Sequence, residues 1–327
     1  CVAVGSVALD ANTTGDNNVG IGVHALGGNT TADNNTAVGH EALKANTTGA
    51  YNVAVGALAL DANTTGESNV GIGYNSLGAT TTGGGNIAIG EGAADANTTG
   101  TNNVGIGHNS LGANTTASYN TAVGSNSLLL NTTGSQNTAF GAHSLDSNTT
   151  ASNNTAIGYE SLAANTTGGD NTAVGKACLA SNTTGIRNIA VGIGSLELTT
   201  TGTRNVAMGY GALYANVTGQ YNTAVGTAAL GNNTASNNTA LGYDALNSVT
   251  TGSGNVAIGM NAGKDQITSV DYALYIARDN TAAGNAATWI AANSTGACYQ
   301  GNNSTSWSTT SDQRLKKDIA DNNIGLS

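Results

Sequence analysis

Few side chains in this 327-residue chain are of types that do covalent or metal chemistry, and something other than chemistry sets their spacing. The four histidines are His24, His40, His108 and His143. Each stands one or two residues after a glycine, in positions that elsewhere hold Glu41, Tyr74, Asn75, Glu160 or Asp244. Positions that vary so freely read as solvent-facing, and no set of histidines has metal-ligand spacing. Cys1, Cys178 and Cys298 are odd in number and form no metal motif, while Cys178 occupies a place that is Ala or Ser elsewhere and reads as a small buried residue. Tyr74, Tyr159, Tyr210 and Tyr243 all directly follow such a glycine. An exposed tyrosine can stack on a sugar ring, so these four are candidate glycan contacts. The plainer alternative is scattered surface aromatics. Asn-x-Thr triplets recur from Asn12 to Asn216 and match glycan acceptors, but Thr80, Thr199 and Val249 replace the Asn in other copies. That pattern favours turn chemistry over modification. The acidic residues show no fixed pairing, which argues against a polysaccharide-cleaving site. Gly20-Ile21-Gly22 precedes no helical pattern and is not a dinucleotide loop. No cofactor is expected, and the shaft is not expected to be an enzyme.

The spacing of these residues follows from a repeat. Glycines from Gly5 to Gly259 close sixteen segments of the form Asn-x-(Ala/Gly)-aliphatic-Gly, 17 residues apart, with one step of 16 between Gly226 and Gly242. The copy Asn35–Tyr51 is typical. Thr36 and Val38 alternate with Ala37 and Gly39, which is the strand period. The Val38 position is always aliphatic or Phe140 or Met208, and is expected to point into a core. The Ala37 position is only Ala or Gly, and is expected to mark a close approach, including that of another chain. Ala42-Leu43 reads as a second short buried strand, and Asn46-Thr47-Thr48-Gly49 as a turn.

Two strands and two turns per copy predict an all-β fold: a β-solenoid or β-roll of sixteen 17-residue coils. A helical repeat is excluded by the glycine in every copy and by the lack of 3.6-residue periodicity. One coil cannot stand alone, because ordering its residues costs more than burying its few apolar side chains returns. Stacking supplies the rest, and sixteen coils at strand spacing give a rod of roughly 75–80 Å. The thin core, with one Phe, two Trp and 9% charged residues, suggests a homotrimer, either intertwined or side by side.

Three regions are expected: a repeat shaft over 1–263, a β-rich connector over 264–310, and a distinct end over 311–327. Five of the nine basic residues lie beyond residue 263, where the period breaks. Tyr272–Ala277 and Ala287–Ala291 read as ordinary strands. The net charge of −10 argues against a nucleic-acid partner, and no apolar run is long enough to span a membrane.

The Asn-Thr-Ala-Val-Gly and Asn-Val-Ala-Ile-Gly segments resemble the β-roll repeats of trimeric autotransporter adhesin heads, and the longer unit Asn171–Gly185 resembles repeats of bacteriophage tail fibres. The end, Thr305-Ser306-Trp307-Ser308-Thr309-Thr310-Ser311-Asp312-Gln313-Arg314-Leu315-Lys316-Lys317-Asp318-Ile319, resembles the start of the intramolecular chaperone domain of phage tail spikes and fibres. That resemblance implies self-cleavage between Ser311 and Asp312, with Ser311 as nucleophile and Lys316 as its base. Sixteen residues follow Ser311, fewer than the trimeric cleavage site is expected to need. The resemblance implies a homotrimeric, extracellular virion tail fibre that attaches to a host cell-surface glycan or protein. The alternative it leaves is a trimeric adhesin on a bacterial surface, and a carbohydrate-degrading tail spike is the remoter one.

Overall fold

The computed structural model describes residues 1–264, 269–277, 288–292 and 298–300. Sixteen three-residue strands, β1 (Val2–Val4) to β16 (Val256–Ile258), arise one per copy of the repeat, and each pairs in parallel with the strand of the next copy. Register is one repeat throughout: Thr36 lies opposite Val53, Ala37 opposite Ala54 and Val38 opposite Val55. The result is the expected all-β solenoid. The parallel ladder runs one strand further, to β17 (Leu274–Ala277). Strand β18 (Thr288–Ala292) then pairs antiparallel to β17, and β19 (Cys298–Gln300) antiparallel to β18. Both strand segments anticipated after residue 263 are therefore present.

The second strand of the coil is not. Residues 40–45 form turns, because Glu41 (φ 59°) and Leu43 (φ 51°) lie in the left-handed region, which extended backbone does not visit. Left-handed backbone is unfavourable for a leucine. It persists at almost every Leu43 equivalent because it turns the side chain inward, and the leucines from Leu26 to Leu246 are fully buried. The chain closes its coil with one strand and a series of tight turns. Coils are joined along the turns as well, as where the Leu43 amide donates to the Ala59 carbonyl at 3.0 Å.

The core also differs from expectation at the strand. Ala37 is 0% exposed and Val38 is not buried. Alternation places residues 36 and 38 on one face and 37 on the other, and the narrow coil keeps only the small residue inside. At Gly20, an added Cβ would stand 3.3 Å from the Leu9 side chain and 3.1 Å from the Ala25 carbonyl. The close neighbour at this position is the chain's own coil, not another chain. A typical rung of the core is thus one Ala or Gly, one Ala, Ser or Cys, one Leu, and two asparagines, with Ala94 in place of Leu and Thr80, Thr199 and Val249 in place of an asparagine in single coils.

The asparagines form two buried ladders. In the first, Asn52 accepts the Asn69 backbone N–H on its side-chain oxygen and donates its amide to the Gly66 carbonyl, both within 2.9 Å. This pattern is unbroken from Asn18 to Asn255, across the short step, and ends on the Ala273 amide. In the second, the Asn46 amide donates to Asn29 Oδ1 of the coil before and to the Gly49 carbonyl of its own turn, each at 2.9 Å. Such stacks satisfy interior backbone groups that a thin apolar core would leave stranded. The triplet asparagines from Asn29 to Asn216 belong to this buried column, so their amides face inward in the folded coil and are not accessible acceptors.

The strand glycines are required by geometry. Gly124 has φ +133°, and an added Cβ would sit 2.6 Å from the Gly141 carbonyl carbon of the next coil. Close stacking and the left-handed backbone both select glycine here.

Candidate functional site

With the strand alternation oriented, the outer surface can be read by column. The strand face carries two: one runs through Val19, Thr36, Val53 and Val70, the other through Ile21, Val38, Val55 and Ile72. Every member from Val2 and Val4 to Val256 and Ile258 is half-buried or exposed. The second column is apolar at all sixteen rungs, and Phe140 is 55% exposed. Isolated exposed aliphatics are ordinary on a protein surface, but a continuous apolar stripe of this length is not. Sequence reasoning placed these side chains in the core. The signal that could have corrected it is the Thr36 position, which shares their face and is Thr in some coils and Val or Ile in others.

The turn side carries the tyrosines. Tyr74, Tyr159, Tyr210 and Tyr243 are all exposed, as anticipated. They are not brought together: five coils separate the first pair, three the second and two the third. Each has its own surroundings. Tyr159 lies edge-on to His143 with ring centroids 6.2 Å apart, and the Lys176 ammonium sits 6.0 Å from its centroid. A hydrogen bond with the neighbouring Glu160 carboxylate raises the Tyr159 hydroxyl pKa above the ordinary value. In the position before Asn, Arg204 donates to the Tyr221 hydroxyl at 2.6 Å and lies over its ring.

The second position after the strand glycine is less exposed than its variability suggests. His24, Glu41 and Asn75 are half-buried there, and Asp244 is nearly buried and paired with Lys264 at 2.6 Å. Glu41 is held below the usual carboxylate range by its bond with Lys44. His143 meets Asp146 at 2.9 Å. Among the described residues, no three His, Cys, Asp or Glu side chains converge in a metal-binding arrangement. Asp61 and Asp95, two coils apart, are pushed up by burial. Burial likewise raises the Cys178 thiol, which contacts the Gly192 carbonyl and Ser195 Oγ inside the coil.

Ser311 and Lys316 lie outside the described residues, as does the whole chaperone-like segment 311–327. No helix of the described residues is long and apolar enough to cross a membrane. No protein-family model, curated protein or solved structure matches this chain.

Proposed function

We propose that this chain is a structural and adhesive fibre segment, the distal shaft of a phage tail fibre, assembled as a homotrimer. The observation that carries the reading is the exposed apolar stripe on the strand face. Sixteen rungs at strand spacing make it roughly 75 Å long, and the strand face formed by it and the neighbouring Thr, Val or Ile column is roughly 10 Å wide. Its area of about 750 Å² is close to the ~800 Å² per partner of a stable protein interface. A second copy has the same period, so matching rungs meet at every level when copies lie in register, and cyclic symmetry closes the arrangement. Burying the stripe also removes an apolar surface that would otherwise promote irregular association. The phage assignment itself rests on the resemblance of the repeats and of the residues around Ser311.

Sedimentation equilibrium of the purified chain tests the assembly. The expected mass is three times that of one chain, and Ile157→Asp with Val174→Asp, both on the stripe and outside the coil's core, lowers it to one. A wild-type chain that stays monomeric, or a double variant that stays trimeric, refutes it. Binding of the labelled trimer to host cells tests the adhesive role.

A further inference from the structure

The apolar stripe does not account for a groove of about 340 Å³ on the turn side, spread over four successive coils. Its floor is made by Gly194, Gly211 and Ala228, which occupy the second position after the strand glycine. That position holds Glu41, Asn75 or His143 elsewhere. A Cβ added at Gly211 would meet no heavy atom within 4 Å, so the floor is open to a molecule from outside. Tyr210 and Tyr214 flank Gly211 in sequence, and both line the groove with exposed rings, 65% and 40% accessible. Tyr214 and the Glu197 carboxylate both lean over Gly194, at 3.9 Å and 2.9 Å from its would-be Cβ.

The polar groups are arranged for use. The Glu197 carboxylate and the two tyrosine hydroxyls have no hydrogen-bond or ion-pair partner within the described chain. Asn232 donates to Asn247 Oδ1 at 2.8 Å, and Asn247 donates to the Ala228 carbonyl at 2.8 Å. These bonds fix both amides at the rim and leave Asn232 Oδ1 as an acceptor. The groove therefore pairs aromatic surface with several acceptors and carries no cation.

We infer that this groove is a binding subsite for a neutral pyranose glycan. The C–H face of a pyranose packs on tyrosine rings, which present an apolar face with a polar edge. Its hydroxyls donate to Glu197 and Asn232, which suits a site rich in acceptors. Glu197 and the overall charge of −10 disfavour sialylated or uronate sugars. The volume lies at the lower end for small-molecule pockets and suits one or two sugar rings. This inference rests on the adhesive reading and places it on particular residues. Of the four tyrosines singled out by position, it selects Tyr210 and adds Tyr214, which that position does not include.

The test is a panel of neutral oligosaccharides, containing hexoses, N-acetylhexosamines and deoxyhexoses, beside sialylated and uronate-containing ones. Binding is measured by saturation-transfer NMR and titration calorimetry. The expected result is binding of a neutral glycan, weakened about ten-fold by Tyr210→Ala and by Tyr214→Ala and less by Glu197→Gln. Tyr74→Ala, in the same repeat position without the groove, leaves binding unchanged. Unaltered circular dichroism shows that each variant folds. Failure of every neutral glycan to bind, preference for the acidic sugars, or full binding by the Tyr210→Ala/Tyr214→Ala double variant overturns the inference. Host-cell attachment separates the two readings. If no neutral glycan binds while the wild type still attaches, the groove is wrong and adhesion stands. Glycan binding without any cell attachment keeps the groove and removes adhesion.

Discussion

Replacing Thr80 by Asn should make the rod more stable, because the second asparagine ladder is interrupted there. At an intact rung, the amide of one asparagine donates to the side-chain oxygen of the coil before, as Asn46 does to Asn29 at 2.9 Å. Thr80 has no such donor, and Asn63 Oδ1 is left buried without a partner. On the other side, the Asn97 amide reaches Thr80 Oγ1 only at 3.5 Å. Stranding a buried acceptor costs roughly 1–3 kcal/mol, and a repaired hydrogen bond returns about 1 kcal/mol. Loss of the buried Thr80 methyl offsets about 0.8 kcal/mol. The net expectation is about 1–3 kcal/mol in favour of Thr80→Asn. Thr199→Asn repairs the same fault at Asn182 but breaks the Thr199 hydroxyl bond to the Asn216 carbonyl at 2.6 Å, so its gain should be smaller. Coils couple chiefly to their neighbours, so the effect should be local. Native-state hydrogen exchange is the suitable assay, and amides of the coils holding Asn63 and Asn97 should exchange about ten-fold more slowly. Unchanged or faster exchange there, or a larger gain from Thr199→Asn than from Thr80→Asn, would refute the ladder as a source of stability.

Gly124→Ala should cost about 4 kcal/mol or more, since it combines left-handed strain with a collision against the next coil. Gly211→Ala, with open space at its Cβ, should cost only about 1–2 kcal/mol, and thermal unfolding with limited proteolysis compares the two. Asp61 and Asp95 have folded pKa values raised by burial, so the protonated form is favoured in the coil. Their contribution to stability is therefore present below the ordinary carboxylate range and is lost as pH rises through the raised values. Denaturation midpoints measured across the carboxylate range should fall with pH on their account, and Asp61→Asn with Asp95→Asn should flatten that part of the profile. Cys178 is buried with a raised thiol pKa, whereas Cys1 is exposed. A thiol reagent followed by peptide mass spectrometry should label Cys1 in the native protein and Cys178 only after unfolding.

The period, the number of coils and the Asn-Thr-Thr-Gly turn were legible in the residues, because stacking in register forces the same residue type into the same place each time. Orientation was not. Alternation says that Thr36 and Val38 share a face and that Ala37 takes the other, but it is symmetric with respect to inside and outside. Hydrophobicity alone favours Val38 for the core. What decides is volume: the inside of a coil already holding Leu43, Asn46 and Asn52 has room for one methyl at residue 37. The reading of Ala42-Leu43 as a strand failed for a related reason. Apolar residues in a short run suggest extended backbone, whereas Leu43 turns inward through a left-handed conformation that propensity argues against.

The buried asparagines were hidden because Asn beside Thr and Gly is the ordinary composition of a surface turn. Only stacking at fixed spacing makes an interior amide column self-satisfying, since each side chain then finds its partner one repeat away. The groove escaped notice for the same geometric reason in reverse. Its floor residues are 17 positions apart in sequence, and no local window contains two of them. The available trace was the succession Ala177, Gly194, Gly211 and Ala228 in a position that is otherwise mostly bulky or polar. In a solenoid, the informative unit for a binding surface is therefore the column, read at one repeat position across successive coils. A departure from a column's usual occupancy sustained over several coils can create a concavity several rungs long, whereas a single substitution alters one rung.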